Sequence, residues 1–213
     1  MTRFIIMRHA QSEGNFGKFF TGVTDVSITK LGHKQAQCSA NLLFNEWKMP
    51  IDRIFCSPLR RARQTVAYTC DLYGLIPVAD ERLKEINGGI WEGRPHVSID
   101  SEYPEERILW KNNYSRVKCP MGESSIDVFQ RTKEVYTEIA EKYDGQNILV
   151  ATHGTPILSL IIMCKDLPFE TINFNDIPVN ASITVIDWYG NSKYDIIEQN
   201  YHKHIIDAGL LKF

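Results

Sequence analysis

Phe4-Ile5-Ile6-Met7-Arg8-His9-Ala10 is an apolar run that ends on a guanidinium and an imidazole, followed by a residue too small to cover them. A continuous apolar run of this length reads as a strand buried on both faces. Far downstream the pattern recurs as Ile148-Leu149-Val150-Ala151-Thr152-His153-Gly154. Ligands of open α/β sheets bind beyond the carboxyl ends of the strands, so His9 and His153 can meet over one pocket.

The chain has 213 residues, 43% of them hydrophobic and 23% charged, with a formal net charge of −2. This composition suits a globular protein with a sizeable core, and one domain over 1–213 is the economical expectation. A charge so close to neutral gives no long-range attraction to nucleic acid or to an anionic membrane, so neither is an expected partner. Cys38, Cys56, Cys70, Cys119 and Cys164 are odd in number, widely spread and free of any C-x-x-C pair. That argues against a disulfide framework and against a zinc site, and a cytoplasmic location follows as the expectation. The first strand begins almost at Met1, leaving no room for a signal segment, and the stretch from Pro156 to Cys164 is too short to cross a bilayer. The pattern specifies no oligomeric state.

Residues 11–27 are polar and glycine-punctuated, so they read as a long loop, and Ser12, Asn15, Thr21 and Gly22 lie in it. Thr29 is an expected N-cap for an amphipathic helix that buries Ala36, Ala40, Leu43 and Trp47 and ends at Pro50. Arg53-Ile54-Phe55-Cys56 reads as a strand, and Ser57-Pro58 as the cap and first position of a helix over 59–72. Arg60, Arg61 and Arg63 then stand at an end where the helix dipole is already positive. An anion shared by the helix terminus and the guanidinium forks resolves that conflict.

The stretch 81–93 is a second loop, rich in Glu and Gly and carrying Glu85. Residues 95–121 are the least regular part, with a short helix expected over 104–113, and read as an insertion over the site. Ser124, with Asp127 three residues on, caps a helix whose covered stripe is Phe129, Thr132, Tyr136, Ile139 and Tyr143. Thr155-Pro156 starts another short helix. Around Gly190-Asn191, residues 182–187 and 193–197 alternate as an antiparallel edge hairpin.

Two histidines, at least two arginines and Glu85 thus gather at the strand ends. Neither histidine has Asp, Glu or Cys at metal-ligand spacing, and arginines nearby would repel a cation, so no metal and no other cofactor is expected. A serine triad lacks its G-x-S-x-G elbow. Two imidazoles beside cations suit a phosphate dianion, because phosphoryl transfer is catalysed mainly by positioning and charge stabilisation. A neutral imidazole needs no base to become a nucleophile, and Glu85 is the candidate acid for the leaving oxygen.

At these residues the chain resembles the histidine phosphatase superfamily, the phosphoglycerate mutase-like group. The resemblance rests on Arg8-His9-Ala10, Ser57-Pro58-Leu59-Arg60-Arg61-Ala62-Arg63, Leu83-Lys84-Glu85 with Trp91-Glu92-Gly93, Gly122-Glu123-Ser124 and His153-Gly154, in family order. It implies a three-layer α/β/α sandwich with a largely parallel central sheet. It also implies that His9 is phosphorylated, that Arg8, Arg61 and His153 hold the phosphoryl group, and that Glu85 donates the proton. Ser12, Asn15, Thr21, Gly22 and Gly154 become the substrate-side candidates, and a small phosphorylated metabolite the expected partner.

Ala10 stands where the family most often has glycine. Trp110-Lys111-Asn112-Asn113-Tyr114 stands where cofactor-dependent mutases carry a paired arginine, which points to a phosphatase. Phe20-Thr21-Gly22-Val23-Thr24-Asp25 resembles the mutase loop instead. A phosphoglycerate mutase is therefore the alternative. A non-catalytic phosphate-binding domain is a third, although such a domain would be expected to lose His9 or Glu85.

Overall fold

The computed structural model describes residues 1–190 and 193–211. From β1 (Thr2–Arg8) the chain passes through α1 (Glu13–Gly17), α2 (Lys30–Asn41), β2 (Arg53–Cys56), α3 (Arg60–Tyr73) and the short β3 (Val78–Ala79). It continues through α4 (His96–Glu102), α5 (Pro104–Asn112), α6 (Ser125–Lys142), β4 (Asn147–Thr152) and α7 (Gly154–Cys164). The hairpin β5 (Ile183–Gly190) and β6 (Lys193–Tyr201) and a last helical turn α8 (Lys203–Asp207) complete it. One sheet holds the strands in the order β3-β2-β4-β1-β5-β6. The first four are parallel, and β5 and β6 join antiparallel at one edge.

The two-residue alternation of a strand divides β1 between two cores. Phe4 and Ile6 pack with Val135, Tyr136 and Ile139 of α6 and with Ile157 and Leu160 of α7. Ile5 and Met7 pack with Leu42, Leu43 and Val66 on the α2 and α3 side. Strand β4 does the same, with Ile148 and Val150 to one side and Leu149 and Ala151 to the other. Helices cover both faces, which makes the α/β/α sandwich. A third apolar cluster lies over the strand ends and joins Phe20 and Trp91 to Ile99, Trp110 and Tyr114 of the 95–121 segment.

Local signals set most boundaries. Thr29 caps α2 through its hydroxyl, Ser124 and Asp127 form the capping box of α6, and Gly74 ends α3 at φ 65°. The structure departs from expectation where side chains have a tertiary partner. Residues 11–27 are not all loop, because Ser12 and Asn15 form a capping box that starts α1. Helix α3 begins at Arg60 with Leu59 extended, so Ser57 and Pro58 precede the helix, and the Ser57 hydroxyl points elsewhere. The 95–121 segment carries two helices where one was expected, since Pro95 and Pro104 each start one. Asn191 of the expected hairpin turn lies outside the described residues; Gly190 pairs with Lys193 across it.

Phe4 is fully buried, its ring edge-on to Tyr136 at 5.0 Å and to Trp188 at 6.1 Å. Phe4→Ala leaves a cavity between sheet and helices. Urea unfolding should find the variant about 3–5 kcal/mol less stable than the wild type.

Candidate active site

Strands β1 and β4 pair in parallel with Arg8 opposite Thr152, so each strand presents its histidine one residue beyond the last pair. The His9 N–H donates to the Thr152 carbonyl at 2.9 Å. The two rings lie 5.1 Å apart, tilted by 54°, and both are buried. Strand β2 ends beside them, and the Ser57 hydroxyl, expected to cap a helix, meets His153 Nε2 at 2.8 Å instead.

The hydrogen bonds fix the ring roles. His9 Nδ1 lies 2.8 Å from the Ala10 carbonyl, which can only accept, so Nδ1 carries the hydrogen of the neutral ring. The lone pair is then on Nε2. For His153 the Nε2 side is taken by Ser57, and Nδ1 is buried without a partner.

Of the three arginines on α3, Arg60 faces solvent near Asp25, Arg63 is exposed and Arg61 is completely enclosed. Arg61 donates to the carbonyls of Thr21 at 3.1 Å, Gly22 at 2.6 Å and Thr24 at 3.0 Å. That loop is held in turn by Glu92, whose carboxylate accepts the backbone N–H groups of Val23, Thr24 and Gly88. Arg8 is anchored through Nη1 to the Pro178 carbonyl. The Nε groups of Arg8 and Arg61, like His153 Nδ1, are buried and unpaired among the described residues. Leaving a buried donor unpaired costs about 1–3 kcal/mol, more for a charged group. An oxyanion within reach of all three would satisfy the two guanidinium Nε groups, and His153 Nδ1 in the tautomer that places the hydrogen there.

Glu85 stands at the edge of this group. Its carboxylate accepts the Ile86 N–H at 2.9 Å and the Thr155 N–H at 3.2 and 3.3 Å. Arg131 holds the loop from behind, donating to the carbonyls of Arg82, Lys84 and Glu85 while forking onto Glu123. A Cβ at Gly154 would lie 3.0 Å from Ile177 and 3.5 Å from Glu85, so the glycine allows the close approach. A cavity of about 220 Å³ opens here, lined by Arg8, Asn15, Thr21, Gly22 and Glu85 against Phe20, His96, Trp110, Phe174 and Ile177.

His9, Arg61, His153 and Gly154 lie behind the lining of this cavity, as does Ser12. Ser12 is wholly buried, and its hydroxyl is engaged with Asn15, so it orders the helix that carries Asn15. Asn180 completes that corner by donating to the His9 carbonyl at 2.9 Å.

The sequence profile of the histidine phosphatase superfamily (branch 1) matches residues 4–200. The chain belongs to this superfamily. It is 29% identical to phosphoserine phosphatase 1 of Hydrogenobacter thermophilus over 87% of this chain and 86% of that protein. To a 2,3-bisphosphoglycerate-dependent phosphoglycerate mutase of Cytophaga hutchinsonii it is 31% identical over 85% of each. Among solved structures, a mycobacterial glucosyl-3-phosphoglycerate phosphatase superposes with a TM-score of 0.83 at 26% identity, covering 94% of this chain and 99% of that one.

As a histidine phosphatase superfamily member, the chain holds its two imidazoles in a hostile place for a proton. Burial, followed by the positive fields of Arg61 and Arg8, pushes His9 well below its ordinary value of 6.5. Burial and then Arg61 do the same to His153. Arg8 is lowered to about 10, by burial first, with Glu85 opposing and Arg61 adding to the effect. Like charges this close disfavour one another, and an anion bound beside them would relieve that repulsion.

Both imidazoles are neutral when folded and titrate near 6.5 when unfolded, so below that pH the unfolded chain binds more protons. Stability therefore falls as the pH drops through about 6.5, by about 1.4 kcal/mol per pH unit for each imidazole, and these groups contribute no slope well above it. Thermal melts between pH 5 and 8 should show this loss. Saturating inorganic phosphate should flatten it, because the anion favours protonated rings.

Proposed function

We propose that the chain is a metal-independent phosphatase that hydrolyses a small phosphomonoester through a phosphohistidine at His9. The observation that carries this reading is the set of unpaired buried nitrogens, Arg8 Nε, Arg61 Nε and His153 Nδ1, in residues whose charge or ring bears on a His9 imidazole with its lone pair on Nε2. Two guanidiniums match the two charges of a phosphate dianion.

In the first step His9 Nε2 attacks phosphorus, the phosphorus–oxygen bond to the leaving group breaks, and Glu85 gives its proton to the departing alkoxide. In the second, Glu85 takes a proton from water as that oxygen bonds to phosphorus and the nitrogen–phosphorus bond breaks. Arg8, Arg61 and His153 bear the equatorial charge in both. Residues 95–121 cover the leaving group within a single domain, and five free cysteines suit a reducing, cytoplasmic setting. No helix of the described residues is long and apolar enough to cross a membrane.

Relatives of both kinds, phosphatase and mutase, share about the same identity with this chain. Hydrolysis is favoured by the wall facing the cavity. Trp110 is buried against Phe20, Trp91, Tyr114 and Phe174, while Lys111 turns outward to Asp100. A second phosphate would meet indole there, not a guanidinium pair.

His9→Ala should abolish turnover of p-nitrophenyl phosphate and formation of an acid-labile phosphoenzyme, and equal rates in variant and wild type would end this reading. Glu85→Gln should slow an alkyl phosphate by about 10²-fold or more, and p-nitrophenyl phosphate far less because its leaving group needs little protonation. With 2,3-bisphosphoglycerate present, 3-phosphoglycerate should be hydrolysed faster than it is isomerised.

A further inference from the structure

The phosphatase reading, on which this inference rests, requires two like groups in one buried corner to differ. One imidazole needs a free lone pair to attack phosphorus, and the other needs an N–H to offer an oxyanion. His9 meets its requirement through the Ala10 carbonyl, which takes the Nδ1 hydrogen. His153 has no carbonyl at its ring. Its one hydrogen-bond partner among the described residues is the Ser57 hydroxyl, 2.8 Å from Nε2.

Counting hydrogens decides which of the two donates. Ser57 and His153 are both fully buried. The Ser57 oxygen already accepts the Leu59 N–H at 3.3 Å, and His153 Nε2 is the sole acceptor for the serine hydrogen among the described residues. If Nε2 carried the ring hydrogen and gave it to Ser57, the serine hydrogen would have no acceptor and Nδ1 would be a bare, unpaired lone pair. If the hydroxyl donates to Nε2, the serine is satisfied and one group remains, an Nδ1–H with no partner. Unpaired buried polar groups are costly, so the second arrangement is favoured, and the group it leaves over is one that an oxyanion accepts.

The backbone holds Ser57 ready for this. Its N–H donates to the Ala151 carbonyl at 2.9 Å, so it continues the pairing of β2 with β4, and the extended Leu59 keeps its hydroxyl from capping α3. We propose that Ser57 is a positioning residue: its hydroxyl donates to His153 Nε2, which fixes the Nδ1–H tautomer and makes His153 a donor to the phosphoryl oxygen instead of a second nucleophile.

The test is long-range proton–nitrogen NMR of the imidazoles of the full chain at about pH 7.5, with the His153 signals assigned by their loss in His153→Asn. In the wild type His153 should show a protonated Nδ1 and a bare Nε2. Ser57→Ala should raise the population of the Nε2–H form and lower kcat/KM for p-nitrophenyl phosphate by about 10- to 100-fold. In a His153→Asn background the same serine substitution should change the rate by less than about twofold, because Ser57 acts through that ring; a serine that only supports the fold would cost as much as before. A wild-type His153 with its hydrogen on Nε2 overturns the inference, even if Ser57→Ala does not fold. So does an unchanged tautomer in Ser57→Ala, or an undiminished serine effect without His153. If the wild type turns over no ester, p-nitrophenyl phosphate included, the phosphatase reading falls, while the spectrum still reports the tautomer.

Discussion

The pairing of β1 with β4 is the constraint from which the site follows. Parallel pairing sets Arg8 against Thr152, and the next residue of each strand is a histidine. A slip of one residue would exchange Phe4 and Ile6 with Ile5 and Met7 between the two cores and carry the imidazoles apart. The register is thus enforced by packing throughout the sheet, and the position of His9 relative to His153 inherits that rigidity. Ser57 joins them by the same rule, since its N–H continues the pairing by donating to Ala151.

Around that pair the protein uses backbone carbonyls to aim its cations. Arg61 meets Thr21, Gly22 and Thr24, Arg8 meets Pro178, and Arg131 meets Arg82, Lys84 and Glu85. A carbonyl orients a guanidinium without neutralising it, so the positive field survives for an anion, whereas carboxylate partners would quench it. Glu92 and Glu123 hold the loops at one remove, through backbone N–H groups and Arg131. Gly22 shows how tight this layer is: a Cβ there would lie 1.9 Å from the Ile86 carbonyl.

Much of this was legible in the sequence, and what was hidden has a common physical character. The strand ends, the caps at Thr29 and Ser124 and the edge hairpin are short-range patterns, and they stand out in a single chain. Arg61 could be told from Arg60 and Arg63 through family resemblance alone, because helical spacing does not say which face a carbonyl-rich loop will cover. Ser57 looked like a helix cap because Ser-Pro is a good local signal, but its hydroxyl is taken by a histidine remote in the chain. The positioning roles of Arg131, Glu92 and Asn180 were missed for a related reason, since most of their partners are main-chain atoms, which bear no residue-type signature. The loop reading around Ser12 failed the other way, since Ser12 proved to be the cap of a helix too short to detect.

The aromatic layer over the strand ends gives the site its polarity. Phe20, Trp91, Trp110 and Phe174 pack edge to face, while the buried cations beneath come from the end of β1, which carries Arg8, and the first turn of α3, which carries Arg61. Charge is therefore fixed at the bottom, where a strand end, a helix start and backbone carbonyls hold it, and shape is fixed at the top, in loops and short helices. On the proposed phosphatase reading, a phosphoryl-binding floor would meet the same group in every ester and could not choose among them. Discrimination would then come from the upper layer, where Phe20, Trp110 and Phe174 share the cavity wall with Asn15 and His96.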